Sequence, residues 1–346
     1  MKTLKFSFVL VFAWLVLVQN TYANFTKNIH KAWAINSVQS LSVENKFGDI
    51  NFVSTRSDSV TIDVDIEIKN LSKSSASILA NKITFRFNIS NGQVSAKTEF
   101  GSDFKTNQEF SIIYTINIPA DKQLDVVNKY GNVTLGDLNA NANFKISYGN
   151  IQGGNLNVPG NHAVKLKLKY GNSNFNHINK LDAEIGYGKL WAKQIDQAKF
   201  KTEYSIMKIS EANTIKAVSK YDHFEFDKVN KIDAESKFTN WSVVLLMNDF
   251  TIESQYGNID VSKVKNNFNS IKILNSYGNV SIGLSSDASY LFESESYYCE
   301  VKHHTALLET NVRNDKHTHL KGKVGENDTK STVYVRSKYG QVKLME

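Results

Sequence analysis

A short motif centred on Tyr-Gly-Asn returns along this chain at near-constant spacing. Lys129-Tyr130-Gly131-Asn132-Val133 recurs around Tyr148-Gly149-Asn150, Tyr170-Gly171-Asn172, Tyr256-Gly257-Asn258 and Tyr277-Gly278-Asn279, with Tyr339-Gly340-Gln341 near the end. Degenerate copies stand at Tyr187, Tyr204, Tyr221, Phe238 and Tyr298, and an outlying early one at Phe47-Gly48-Asp49. From Tyr130 to Tyr298 the aromatic recurs at intervals of 18, 22, 17, 17, 17, 17, 18, 21 and 21 residues. A fixed period of this kind marks a repeat architecture.

Within each unit the apolar pattern has period 2, as in strands. Leu181, Ala183, Ile185 and Tyr187 share one parity, and Leu190 and Ala192 take the other. The switch falls on the Gly-Asn pair, where a glycine with positive φ bends a strand at little steric cost. Each unit therefore reads as strand, Gly-Asn corner, strand and polar turn. About 17 residues cannot bury a core alone, but stacking such units with parallel strands about 4.8 Å apart buries a continuous one. The predicted fold is all-β: a repetitive parallel β-solenoid of 17–22 residues per turn. An antiparallel sandwich is the alternative, though it does not predict a repeat of identical residues.

The N-terminal part alternates over longer runs, Val60 to Ile68 and Phe110 to Ile118, as antiparallel sheets with one wet face do. Residues 24–122 are read as a strand-rich cap that includes one solenoid-like turn at Phe47, and residues 70–78 as a polar connection. Residues 123–346 hold the repeats, with a longer insertion near 299–335. Residues 1–23 read as a signal peptide: Lys2 and Lys5, an uncharged apolar run from Phe6 to Val18, then Thr21-Tyr22-Ala23. The other reading of that run is an uncleaved anchor. The expected mature protein is exported, to the periplasm, the outer membrane or the cell surface, with no transmembrane span.

Two prolines and the single Cys299 in 346 residues exclude proline-rich and disulfide-stapled designs. The net charge of +7 rests on lysine, since only Arg56, Arg86, Arg313 and Arg336 are arginine. Nucleic-acid readers favour arginine, so no nucleic-acid partner is expected.

The run Ile118-Pro119-Ala120-Asp121 into Leu124-Asp125-Val126-Val127-Asn128-Lys129-Tyr130-Gly131-Asn132-Val133, with the later Tyr-Gly-Asn copies, resembles the putative-adhesin β-strand-repeat proteins of bacterial envelopes, a family of unknown function common in the Bacteroidota. The resemblance implies a β-solenoid-like fold in the envelope or outside the cell. Ser205, Asp222 and Thr239 depart from it by replacing the corner glycine.

By parity the aromatics continue the inward row, which predicts an internal ring ladder, the other use of such a series being a stacking platform for sugars. Asn132, Asn150, Asn172, Asn258 and Asn279 are expected to form a stacked amide ladder, or else to line a ligand groove. Lys129, Lys169, Lys220 and Lys237 precede the ring and point outward, where Glu184, Glu235, Glu253 and Glu295 can pair with such lysines. Either this is a solvated mixed-charge sheet or it holds an anionic polymer. Trp191 has outward parity and is a candidate glycan or protein contact. His303, His304, His317 and His319 fall in the longest gap between copies, read as a polar loop; no metal and no cofactor is predicted.

No nucleophile elbow, zinc-protease helix motif, phosphate loop or Cys/His pair appears, so no catalytic residue is assigned. The expected role is non-catalytic: adhesion or surface binding, with partner unknown. A periplasmic scaffold or sensing component that binds glycan or protein comes second, and a carbohydrate-active β-helix enzyme third.

Overall fold

A computed structural model describes residues 25–304, 307–325 and 328–344. The predicted signal peptide lies outside the described residues. The chain begins with β1 (Phe25–Ala34), β2 (Ser40–Lys46), β3 (Ile50–Ser54) and β4 (Ser59–Ile68). A helix, α1 (Lys73–Ala80), precedes β5 (Ile83–Ser90), β6 (Gln93–Phe100) and β7 (Phe110–Ile118). β4 lies antiparallel between β1 and β7, and its inward row Val60, Ile62, Val64, Ile66 and Ile68 is buried. The helix occupies part of the stretch read as a polar connection. Ser72 caps it by accepting the Ser75 N–H, and Ala76 and Ala80, four residues apart, bury one face.

The coils follow as β8 (Gln123–Lys129), β9 (Val133–Thr134), β10 (Ala142–Ser147), β11 (Ile151–Leu156), β12 (Val164–Lys169), β13 (Asn172–Gly186), β14 (Lys189–Glu203), β15 (Ile206–Lys220), β16 (His223–Lys237), β17 (Asn240–Gln255), β18 (Ile259–Val264), β19 (Ser270–Ser276) and β20 (Val280–Ile282). Every pairing among them is parallel and, apart from one irregularity between β16 and β17, in register, so equivalent residues stack along the axis. The chain is a parallel β-solenoid.

In the 17-residue coils one strand covers most of the turn by bending twice. Buried positions Met207, Ile209, Ala212, Ile215 and Ala217 are spaced two, three, three and two apart, and each gap of three is a bend. The aromatic corner makes the third. β17 carries one extra residue, taken up by an irregularity opposite Val229/Lys231, which accounts for the 18-residue interval from Phe238 to Tyr256.

The C-terminal coils do not stack in chain order. β21 (Tyr290–Tyr297) and β22 (Val301–His303) are followed by an antiparallel hairpin, β23 (Leu307–Arg313) and β24 (His317–Val324). The chain then returns as β25 (Thr332–Lys338) and β26 (Val342–Leu344). β25 inserts between β19 and β21, and β26 between β20 and β22. The last coil in sequence is therefore next to last in space.

Candidate functional site: the aromatic corner

The left-handed backbone at each corner belongs to the aromatic residue, not to the glycine. From Phe47 (φ 67) to Tyr204 (φ 51), the ring-bearing residue of every coil has positive φ. A single residue of that kind between two strands reverses the parity at its own position, so its side chain leaves the convex side of the corner. The inward ladder expected from parity is thus an outward one. The rings from Tyr130 to Tyr339 are 41% to 51% exposed. They stack at 4.7–5.3 Å between centroids in the order Phe47, Tyr130, Tyr148, Tyr170, Tyr187, Tyr204, Tyr221, Phe238, Tyr256, Tyr277, Tyr339, Tyr298. Their faces cover one another, and only the edges and phenol hydroxyls meet solvent. Left-handed backbone costs a non-glycine residue about 1–2 kcal/mol, which one or two ring contacts of about 0.5–1.5 kcal/mol offset.

The glycine is required by close approach. A Cβ on Gly149 would sit 1.9 Å from the Gly131 carbonyl oxygen, and one on Gly131 or Gly171 would meet the preceding corner equally closely. Beside this column runs the amide ladder. The Asn150 N–H donates to Asn132 Oδ1 at 3.0 Å, Asn172 to Asn150 at 2.9 Å, Asn258 to Asn240 at 3.0 Å and Asn279 to Asn258 at 2.9 Å. Asp49 receives Asn132 at one end, and Gln341 donates to Asn279 near the other. The asparagines serve the corner backbone, as the amide-ladder reading predicts.

The middle coils solve the corner differently while keeping positive φ at Tyr204, Tyr221 and Phe238. Ser205, Asp222 and Thr239 turn inward and accept backbone N–H groups from the preceding corner: Gly188 to Ser205 Oγ, Ser205 to Asp222 Oδ1 at 2.7 Å, Asp222 to Thr239 Oγ1. The corner carbonyls, turned away from the Cβ, accept from the next coil, as in His223 N–H to Ser205 O at 3.0 Å. Asp222 also receives the Thr202 hydroxyl at 2.6 Å. Burial nevertheless dominates and pushes its carboxyl up to about 6.

Lys129, Lys169, Lys220 and Lys237 fringe the rail. Lys129 Nζ lies 4.9 Å from the Tyr130 ring centre and 5.8 Å from that of Tyr148. Lys46 and Lys338 sit over their own rings in the same way. The expected pairing of these lysines with the glutamate row is not what forms. Glu184 binds Lys167 on the neighbouring strand at 2.9 Å, and Glu295 binds Arg336 at 3.4 Å, because a register partner about 4.8 Å away is nearer than a residue two along the same strand. Glu235 faces Glu253 across β16 and β17. The Lys167 contact holds the Glu184 carboxyl below the usual range. Between the ring column and the amide column, over the glycines from Gly131 to Gly188, runs a groove of about 720 Å³.

Trp191 points outward as predicted and is 37% exposed, with Lys189 Nζ 5.7 Å from its ring. It shares a shallow hollow with Asn174, Lys193 and Lys208 rather than with other exposed rings. The four histidines do not converge. His303 and His304 bond to backbone carbonyls, His304 to Leu284 at 2.9 Å, while His317 stacks on Tyr297 at 4.7 Å. His319 instead lies 3.2 Å from Glu293, with Glu295 close by, and Glu295 is already held by Arg336. Among the described residues no helix is long and apolar enough to cross a membrane.

No family model and no curated protein matches the chain. Among solved structures it is similar to a protein described as a putative adhesin from Parabacteroides distasonis, with 12% identity, TM-score 0.39, and 74% of this chain and 97% of that one covered. It is similar also to one described as a putative lipid binding protein from the same organism, with 11% identity, TM-score 0.38 and coverage of 74% and 96%. A putative adhesin from Bacteroides fragilis gives 13% identity, TM-score 0.33 and coverage of 75% and 97%.

Proposed function

We propose that this protein is a non-catalytic, exported β-solenoid of the cell envelope or surface that holds a repetitive partner along its aromatic rail. The observation that carries this reading is the unbroken column of exposed stacked rings with its lysine fringe. A partner with its own repeat meets the same weak contact coil after coil, and such contacts accumulate by multivalency. A catalytic centre needs unlike groups gathered at one place; the rail repeats like groups along a line. The described "adhesin" neighbours agree in kind.

The test uses labelled protein applied to intact cells and isolated envelopes. Tyr148→Asn, Tyr170→Asn and Tyr187→Asn together remove three neighbouring rings, and asparagine accepts the left-handed backbone. Retention should fall about tenfold with the β circular-dichroism spectrum unchanged; equal retention of the triple variant would sink the rail as the binding edge. Protease treatment of intact cells carrying a tagged copy decides location. Digestion supports a surface role, whereas protection until the outer membrane is opened turns the reading to a periplasmic scaffold or sensor.

A further inference from the structure

On the side of the solenoid reached after the second bend, an open trough of about 640 Å³ runs along the axis. It crosses eight strands, in spatial order β6, β2, β8, β10, β12, β13, β14 and β15, or roughly 34 Å at ordinary strand spacing. Its floor follows the row Leu41, Leu124, Ala142, Leu181 and Ala198, whose side chains are buried in the core.

One wall exists because of an insertion. Seven residues, 157–163, separate Leu156 from Val164, whereas only two separate their register partners Ile178 and Leu181. The five extra residues make the 22-residue interval between Tyr148 and Tyr170 against the usual 17. The loop turns at Pro159-Gly160, where Gly160 has φ +65. Asn179 holds it in place, donating to Val158 O at 2.8 Å and accepting Val158 N–H at 3.0 Å, and Lys180 Nζ donates to Asn161 O at 3.2 Å. Asn161 and His162 are thereby set at the lip of the trough.

The charge is in basic excess. Lys165, Lys180, Lys199 and Lys216 line the trough against Asp125 and Asp182, and Asp125 already accepts the Asn143 amide at 2.9 Å. Among the described residues Lys165, Lys199 and Lys216 have no ion-pair partner, while Lys167, Lys208 and Lys228 elsewhere on the coils pair with Glu184, Glu225 and Glu211. Asp182 stands in register between Lys165 and Lys199, and the same lining carries Gln123, Asn143, Gln197 and Thr214, side chains that exchange hydrogen bonds with hydroxyl groups.

We infer that this trough binds a segment of acidic polysaccharide lying along the solenoid axis, its carboxylates on the free lysines and its hydroxyls on the amides. The length fits several sugar units in a row rather than one small anion. The lining has no phenylalanine, tyrosine, tryptophan or arginine, and its single ring, His162, stands at the lip, which disfavours a single-stranded nucleic acid held by successive stacked bases. The site is separate from the rail and does not depend on it.

Calorimetry on the purified protein compares hexagalacturonate, neutral maltohexaose and an oligothymidylate. Saturable binding of hexagalacturonate is expected, weakening with added salt. K165Q/K199Q/K216Q should lower the affinity about tenfold or more, whereas K263Q/K265Q, which removes exposed charge outside both the trough and the rail, should leave it unchanged. Equal binding of maltohexaose, tighter binding of the oligothymidylate, an unaltered trough variant or no uronate binding would each overturn the assignment. If surface retention through the rail persists in that case, the trough alone has failed.

Discussion

Tyr187 is held at φ +55 between Tyr170 and Tyr204, each ring 4.9 Å away. Backbone and side chain contribute separately there, and two substitutions divide them. Tyr187→Asn removes both ring contacts but tolerates the backbone, for an expected loss of about 1–2 kcal/mol after allowance for the half-exposed site. Tyr187→Val removes the same contacts and adds a β-branched residue in a left-handed well, for about 1–2 kcal/mol more. Urea denaturation of the two variants measures the difference; equal midpoints would mean the backbone is not strained at this corner. Asp222 supplies a second residue-level test. Its carboxyl titrates at about 6 in the folded chain against 3.8 unfolded, because burial outweighs the donors from Thr202, Ser205 and Lys220. The folded state therefore holds the proton more tightly. Stability from this group is full below about pH 4, declines as pH rises towards 6, and is level above. The difference between the two states amounts to roughly 3 kcal/mol. Melting curves at pH 4 to 7 should show wild type losing stability across that window relative to Asp222→Asn, and parallel curves would refute the buried-acid account.

Each coil is legible in the sequence to the extent that parity survives. Leu181, Ala183 and Ile185, then Leu190 and Ala192, announce inward rows and a corner, and those rows are buried. Parity fails at the one residue it was carried through, the aromatic, because a left-handed residue turns its own side chain out and leaves the flanking rows as they were. Nothing in the alternation distinguishes glycine from its neighbour as the residue with positive φ; the distinction lies in the distance between stacked corners, which a single sequence does not express. The 22-residue interval was visible, but that its extra residues wall a trough depends on Asn179 and Lys180 one coil later. The order of the last coils was hidden for the same reason. The interval from Tyr298 to Tyr339 shows that something is inserted, while the pairing of β25 between β19 and β21 is a long-range choice. That intercalation has a consequence at the level of elements. Removal of residues 332–346 takes away the strands on which β21 and β22 rest, leaving β19 and β20 with open edges. Hydrogen exchange of the truncated chain should show protection kept through β8–β17 and lost over residues 290–303. Retained protection there would mean that β21 re-pairs with β19 in chain order.

For the whole molecule, twelve stacked corners give an axis of roughly 53 Å at a strand spacing of about 4.8 Å. A parallel stack of that length presents unpaired backbone at both ends, and such edges recruit further strands. At the N-terminal end two antiparallel additions close the stack: β5 on β6 covers one side, and β1 with β4 on β7 covers another. β1 places Lys27, His30 and Lys31 along the outermost edge, where charge opposes pairing with another chain. At the C-terminal end the β23–β24 hairpin covers β21, since β24 pairs antiparallel with the whole of Tyr290–Tyr297, and β22 is only three residues long. The outermost strand is then β23, whose exposed Glu309, Asn311 and Arg313 set polar and charged groups along the edge, where they oppose pairing with another chain. Replacement of residues 307–324 by a short Gly-Ser linker would bare the edge of β21, a strand whose direction and parity match the next coil of a second molecule. Light scattering over a rising concentration series should then report dimers or longer end-to-end species, with wild type unchanged. A variant that stays monomeric while keeping its β spectrum would show that the hairpin is not what blocks the edge, and would shift that role to the shortness of β22.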